Sequence, residues 1–267
     1  MPCKLILSFA LVAVALAGCG GNETTPNAAD APTPAAAELD LDIRDDGTTL
    51  LRSGERSQVL PGRYEHARLA PGFAADGRSL TGTRVVLQDI ANDASDGVSR
   101  FAVVDASLAE PARMVDLPGD FSYDAVSPAA DTLYLVSHFS VERPDQYVVR
   151  SYDVAAGRLD HGVIADKAAL AEGPMSGRPV ARATSPGGEW VYTAYRGEHA
   201  FVHALDTVRK TAVCIDLPHA AAKVSDWRLA LDGATALTAT SPSTGMTVEI
   251  NTRRFTAKLL PRSEDPR

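Results

Sequence analysis

Short runs of β-branched and aromatic residues recur along most of the chain, and each run is bounded by Gly, Pro, Asp or Ser. Runs of this length and composition are typical of strands, not of amphipathic helices. The segment 166–173, DKAALAEG, is the exception and predicts about two helical turns. The pattern therefore predicts an all-β fold, or nearly so.

A strand, turn and strand pattern repeats along the sequence. Three copies align on a Pro or Gly turn, at 123–137, 181–195 and 227–241. Each is followed by a second pair of strand-like segments, and an earlier copy of this second half lies at 100–117. The residues that end the third predicted strand are spaced by 48, 53 and 45 positions; they are Asp105, Asp153, Asp206 and Asn251. This spacing indicates the four-stranded blade of a β-propeller.

The motif of Ser-Pro, two or three turn residues and an LYV-like strand, followed by an apolar strand that ends in Asp, resembles the YVTN and WD40-like β-propeller repeats of bacterial exported proteins. The copy at 184–218 is the most similar, and the resemblance covers about residues 65–261. It implies four-stranded antiparallel blades, about five in number. Residues 39–60 would form a fifth blade or pair with the last blade to close the ring. An irregular β-sandwich is the alternative fold.

The amino terminus carries a separate signal. Lys4 is followed by the apolar segment Leu5–Ala17, which is too short to span a membrane and is typical of a secretory signal. The sequence LAGC at 16–19 resembles the lipobox of bacterial lipoproteins. That resemblance implies cleavage before Cys19 and attachment of diacylglyceryl and fatty acyl chains, such as palmitate, to Cys19. An ordinary signal peptide that contains a cysteine is the alternative.

These features divide the chain into four parts. Residues 1–18 are the predicted signal peptide, and 19–38 are the lipidated cysteine and a flexible Ala, Pro and Thr tether without large apolar residues. Residues 39–261 are the propeller domain, and 262–267 are a disordered tail. The predicted location is the bacterial cell membrane or outer membrane, with the domain on the periplasmic or extracellular side and the lipid bilayer as a partner.

Charge and cysteine content narrow the possible partners. The net charge is −8 and no basic block is present, which argues against nucleic acid binding. Cys3 leaves with the signal peptide and Cys19 is acylated, so that Cys214 has no partner for a disulfide in the mature chain. No sequence motif for a metal, a cofactor or a catalytic nucleophile is present.

The predicted inner strands of the blades carry charged side chains that could form a ligand site at one mouth of the channel. Arginines in such a ring could bind a polar or anionic ligand, or the charges could pair with one another and plug the channel. The candidate ligand-binding residues are His66, Arg68, Asp124, Arg182, Asp226 and Arg228.

We therefore expect a membrane-anchored, non-enzymatic propeller that binds an envelope protein or another envelope ligand. One alternative is a propeller-type lactonase or hydrolase, for which Glu65, His66, Asp124 and Asp226 are the candidate channel groups. A small-molecule sensor or carrier is the other alternative. Fold alone does not choose among them.

Overall fold

The computed structural model describes residues 38–90, 96–139, 146–165, 174–221, 224–233 and 235–261. The predicted signal peptide, Cys19, all but the last residue of the tether, the tail and the predicted helical segment 166–173 lie outside these residues. The described residues form twenty strands and a short 3-10 turn at His219–Ala221, with no α-helix among them. No helix within these ranges is long and apolar enough to cross a bilayer.

The strands form five antiparallel sheets that follow one another along the chain. Sheet 1 contains β1 (Asp40–Ile43), β2 (Thr48–Ser53) and β3 (Arg56–Pro61). Sheet 2 contains β4 (Tyr64–His66), β5 (Arg84–Asp89), β6 (Val98–Asp105) and β7 (Arg113–Pro118). Sheet 3 contains β8 (Phe121–Val126), β9 (Thr132–His138), β10 (Gln146–Asp153) and β11 (Arg158–Leu159), and β12 (Met175–Ser176) pairs with β10.

Sheet 4 contains β13 (Arg178–Thr184), β14 (Trp190–Arg196), β15 (Phe201–Asp206) and β16 (Thr211–Asp216). Sheet 5 contains β17 (Arg228–Asp232), β18 (Ala236–Ser241), β19 (Met246–Asn251) and β20 (Thr256–Leu259). Within sheets 2 to 5 each strand pairs with the one before it in the chain, except that β12 pairs with β10, and we call the first strand of each sheet its inner strand. These are the four-stranded antiparallel units that the repeat predicts.

The repeated polar residues are turn-forming groups. Ser127 and Ser185 each accept, on Oγ, the amide proton of the residue that opens the next strand, at 3.0 and 2.9 Å. Ser79 does the same for Arg84 at 3.0 Å. The marker residue at the end of each third strand accepts amide protons from the following turn, as Asp206 does from Val208 and Arg209. The same residue types therefore recur because backbone amides at the same place in each blade need a side-chain hydrogen-bond acceptor.

The first repeat is more complete than the sequence indicates. The Ser79 turn occupies the place of Ser127 and Ser185, and Arg78 bridges Val85 on β5. The inner strand of sheet 2 is therefore interrupted after β4 and resumes at Gly77, whose carbonyl accepts the amide proton of Val86. The intervening residues 68–76, which we call the inner-strand insertion, project toward sheets 3 and 4.

The core lies between successive sheets. One apolar cluster joins sheets 1 and 2, and three others join sheets 2 and 3, 3 and 4, and 4 and 5. No cluster among the described residues joins sheet 5 back to sheet 1. The face of sheet 5 that points away from sheet 4 is polar or small, with Thr238, Thr240, Thr247, Glu249 and Lys258. Such a face is typical of the terminal unit of a repeat array.

Residues 39–60 form a sheet of their own. β2 pairs with β1 and β3, and the described part of β20 pairs with β19. Of the two arrangements that the sequence left open, the structure has the separate sheet and not strand pairing with the last blade. This sheet has three strands instead of four, so the amino-terminal blade is incomplete within the described residues.

Candidate functional site

Arg182 on β13 is the centre of a buried ion cluster. Its Nε lies 2.6 Å from Oδ2 of Asp76, and its Nη1 lies 3.2 Å from Oδ1 of Asp124. Nη1 also donates to Oγ1 of Thr193 at 3.1 Å, and Nη2 donates to the carbonyl oxygen of Asp124. All three guanidinium nitrogens therefore contact protein oxygens. The register shift between Tyr123 and Ala125 places Asp124 in a bulge of β8, which directs its side chain to Arg182.

The cluster joins three sheets. Asp76 belongs to the inner-strand insertion of sheet 2, Asp124 to sheet 3 and Arg182 to sheet 4. The Tyr123 hydroxyl adds a hydrogen bond to the carbonyl oxygen of Asp76 at 3.2 Å, and the amide of Leu80 donates to the carbonyl of Pro128 at 2.8 Å. Together with the ion pair to Arg182, these contacts hold the insertion and the Ser79 turn that follows it against sheets 3 and 4.

Burial dominates the electrostatics of this cluster. Burial raises the pKa of Asp76, and Arg182 offsets only part of that effect. Burial alone would lower the pKa of Arg182, yet Asp76 and Asp124 raise it above its usual value. Burial and the nearby Asp76 also hold the pKa of Tyr123 well above its normal range. Arg182 is consequently a permanent cation whose charge is matched by the protein itself.

Of the six predicted ligand-binding residues, the structure brings together Asp124 and Arg182. Arg68 instead pairs with Glu65, with Nη2 and Oε2 2.6 Å apart, and Gln88 donates to the other oxygen of Glu65 at 3.0 Å. His66 lies half-buried on β4, where burial and the cations Arg78 and Arg68 lower its pKa.

Asp226 and Arg228 lie apart from this cluster, Asp226 just before sheet 5 and Arg228 at its first residue. Asp226 accepts protons from the Ser241 hydroxyl at 2.7 Å and the Ser243 amide at 2.8 Å, and these hydrogen bonds lower its pKa. It therefore holds the β18–β19 turn. Arg228 opens β17, is exposed and lies opposite Thr240. Ligand binding by these residues stays a prediction.

Asp76 is the member of the cluster that the sequence did not indicate. It lies in the stretch PGFAADGRS, whose Gly and Pro content predicts only a loop. Asp76 lies opposite Arg182 because the chain pairs with β5 again directly after it, at Gly77 and Arg78. Nothing in the spacing of the repeat could have predicted that return.

A second feature is a large open cleft between sheets 3 and 4. Its volume is about 1050 Å³. Its walls are formed by the first residues of the inner strands, the end of β9, the start of β10, the end of β14 with the residues that follow it, and the beginning of the insertion. The lining includes Leu69, Ser122, Val136, His138, Tyr147, Ser176, Arg178, Tyr195, Arg196 and Glu198. A smaller cavity of about 230 Å³ lies beside Asp76 and Arg182, at the Ser-Pro turns.

The floor of the cleft is aromatic. The rings of Tyr147 and Tyr195 have centroids 5.5 Å apart, and Tyr195 stacks on Phe201 at 5.1 Å. Burial raises the pKa of both tyrosines further above neutral pH. The Ser122 hydroxyl and Nε2 of His138 are 3.0 Å apart at one edge. The cleft therefore combines apolar surface with a few polar groups, as ligand pockets usually do.

No group of three or more His, Cys, Asp and Glu side chains that could hold a metal occurs within the described ranges. His203 is fully buried on β15 beside Thr193, and its Nε2 has no hydrogen-bond partner there. Burial lowers its pKa. Cys214 lies opposite His203 on β16 and packs against the apolar cluster between sheets 3 and 4.

Comparisons with solved structures decide the fold. The chain is similar to the Dos1 propeller, with a TM-score of 0.50 and 9% identity, over 86% of this chain and 57% of that one. It is also similar to the dihydro-heme d1 dehydrogenase NirN in complex with DHE, with a TM-score of 0.52 and 15% identity, over 85% of this chain and 44% of that one. The fold of this chain is a β-propeller.

The likeness is one of fold alone, because both identities are low. The chain spans about half the length of these two structures. No known protein family and no curated protein matches the sequence. The propeller and its roughly five blades are thus confirmed, and the sandwich alternative is set aside.

Proposed function

We propose that the chain is a membrane-anchored lipoprotein whose propeller domain binds an envelope ligand or protein partner without catalysing a reaction. The cleft between sheets 3 and 4 carries this proposal. Its volume of about 1050 Å³ reaches the upper end of the range for ligand pockets, about 300–1,000 Å³. The LAGC sequence at 16–19 supports the anchor at Cys19.

The ion pairs of the inner strands favour binding over the propeller-type hydrolase. Such an enzyme needs acids or histidines that converge on a substrate. Glu65 is paired with Arg68, Asp124 with Arg182, and Asp226 holds a turn. A small-molecule sensor or carrier would use the same cleft, and this hypothesis differs from protein binding only in the ligand.

The anchor can be tested by metabolic labelling with a palmitate analogue in a bacterial host. We expect wild type to incorporate the label and Cys19→Ser to lose it. Mass spectrometry of the amino-terminal peptide should locate the acyl chains on Cys19. Equal labelling of the two chains would overturn the anchor and leave the proposal for the cleft intact.

Binding can be tested by mild crosslinking in the native envelope, followed by purification and mass spectrometry of retained proteins and small molecules. Ser176→Trp would narrow the cleft with a bulky ring, since Ser176 lines it and is exposed. Thr256→Trp, on the exposed β20, is the matched control. We expect a species that is retained by wild type and the control and lost with Ser176→Trp. Equal retention by all three chains would contradict binding in the cleft.

A further inference from the structure

Two arginines face each other across adjacent strands at the rim of the cleft. Arg178 opens β13 and Arg196 closes β14, and the two residues are direct partners in the antiparallel register. Both are exposed and both line the cleft. Like charges placed directly opposite in a sheet repel one another and destabilise the pairing.

No carboxylate in the described part of the chain neutralises the positive charge of this pair. Neither arginine forms an ion pair there, although Glu198 also lines the cleft. The contrast is with Arg68 and Arg182, which both contact carboxylates. Two adjacent guanidinium groups without a carboxylate offer forked donors that match a carboxylate or phosphate group.

The backbone brings these two residues close together. Gly177, directly before Arg178, has a φ of +138°, and a Cβ there would lie 2.9 Å from the carbonyl oxygen of Arg196. Only glycine permits both this conformation and this approach. The pairing of Arg178 with Arg196 is therefore accompanied by a close backbone approach that requires glycine at position 177.

The rest of the cleft determines what else the ligand must carry. Beyond the arginine pair the lining is aromatic and aliphatic, with Tyr147, Tyr195, Val136 and Leu69, each of which is mostly buried and reaches the cleft at one edge. An inorganic anion would leave this surface and most of the volume unused. A ligand with a charged head and an apolar or aromatic body would contact both parts.

We propose that the cleft binds an organic anion whose carboxylate or phosphate head lies between Arg178 and Arg196 and whose apolar body lies against Tyr195. This inference rests on the proposed function, since it assigns a ligand class to the same cleft. It adds a charge requirement that binding in the cleft does not by itself demand.

The experiment uses the purified full-length chain and three water-soluble probes. Phenyl phosphate and 3-phenylpropionate carry the two possible head groups, and 3-phenylpropan-1-ol is their neutral analogue. Binding is measured by isothermal titration calorimetry and ligand-observed NMR at low and high salt. The variants are Arg178→Gln, Arg196→Gln, their combination and Glu198→Gln. Arg254→Gln, an exposed arginine on the β19–β20 turn, is the control.

We expect at least one anionic probe to bind at least tenfold more tightly than the alcohol, and to weaken as salt rises. The double variant should lose at least tenfold in affinity, Glu198→Gln should bind as well as wild type or better, and Arg254→Gln should match wild type. The anionic probe that binds more tightly identifies the head group.

Three results would overturn the inference. They are equal binding of the alcohol and the anions, an equal loss with Arg254→Gln, or no saturation by either anion at millimolar concentration. If the alcohol binds wild type and this binding is lost with Ser176→Trp, the cleft is still a binding site and only the anion requirement fails. The two proposals can therefore fail separately.

Discussion

Two arginines on one strand have opposite environments. Arg182 is buried on β13, and its guanidinium contacts Asp76, Asp124 and Thr193. Arg178, four positions earlier, is exposed and lies opposite Arg196 without an ion pair in the described residues. The register shift between Pro179 and Ala181 places the two side chains on different faces of the strand. A single bulge thus separates an arginine that stabilises the fold from one that is available to a ligand.

Replacement of Arg182 should give the largest effect. Arg182→Gln leaves two carboxylates near one another without a cation, and breaking a buried pair of this kind costs about 3–5 kcal/mol. Because the Asp76 side chain is 27% exposed, we expect the lower end of that range, about 3 kcal/mol. Urea denaturation of the full chain would measure the loss. Arg52→Gln, which breaks the exposed pair with Asp42, should have little effect. Equal losses would mean that the buried cluster does not hold the sheets together.

Gly177→Ala should give the next largest loss of stability, and it should also disturb the pairing of Arg178 with Arg196. The new methyl group would clash with the Arg196 carbonyl oxygen in a backbone conformation that costs about 1–3 kcal/mol for other residues. Gly245→Ala is the matched control, because Gly245 has a φ of +65° and open space around it. We expect Gly177→Ala to lose more stability in urea and to bind the anionic probe more weakly. A loss no greater than that of Gly245→Ala would show that the close approach of Gly177 to Arg196 on β14 is not needed.

The pH dependence of stability should report on the interior beside Arg182. His203 lies in the same cross-strand row, and burial lowers its pKa. A lowered histidine pKa contributes stability above the pKa of about 6.5 in the unfolded chain, and this contribution is lost as the pH falls below it. The raised pKa of Asp76 acts in the opposite direction, since acidification protonates a carboxyl that burial already disfavours as an anion.

The comparison of wild type with His203→Met isolates the histidine. We expect wild type to lose stability between pH 7 and pH 5 relative to the variant, measured by urea midpoints at each pH. Methionine fills a similar apolar space and does not titrate in this range. Parallel curves for the two chains would contradict a neutral, buried His203.

The fold could be predicted from the sequence because each blade repeats the same backbone requirements. Ser127 and Ser185 satisfy one turn, and Asp153 and Asp206 satisfy another, so that the period is visible in the residues themselves. The proximity of Asp124 and Arg182 could also be predicted, because both occupy the same register of neighbouring inner strands.

The remaining features depend on departures from the repeat. Asp76 reaches Arg182 only because an insertion interrupts the inner strand of sheet 2. Arg178 and Arg196 become partners only through a bulge in β13, and a one-residue shift changes every side-chain facing beyond it. Periodicity cannot reveal irregularities of this kind, although in this chain they create both the buried cluster and the rim of the cleft.

Arg178→Gln should change stability least and separate the two arginines most clearly. Removing one of two facing cations relieves repulsion, so that we expect the free energy of unfolding to rise by about 0.5 kcal/mol or to stay unchanged. The same variant should weaken binding of the anionic probe, which is the reverse of the pattern for residues that stabilise the fold. Urea denaturation and calorimetry on one protein preparation would measure both quantities. A variant that is destabilised by as much as Arg182→Gln would place Arg178 among the structural arginines and remove the basis for a ligand at the rim.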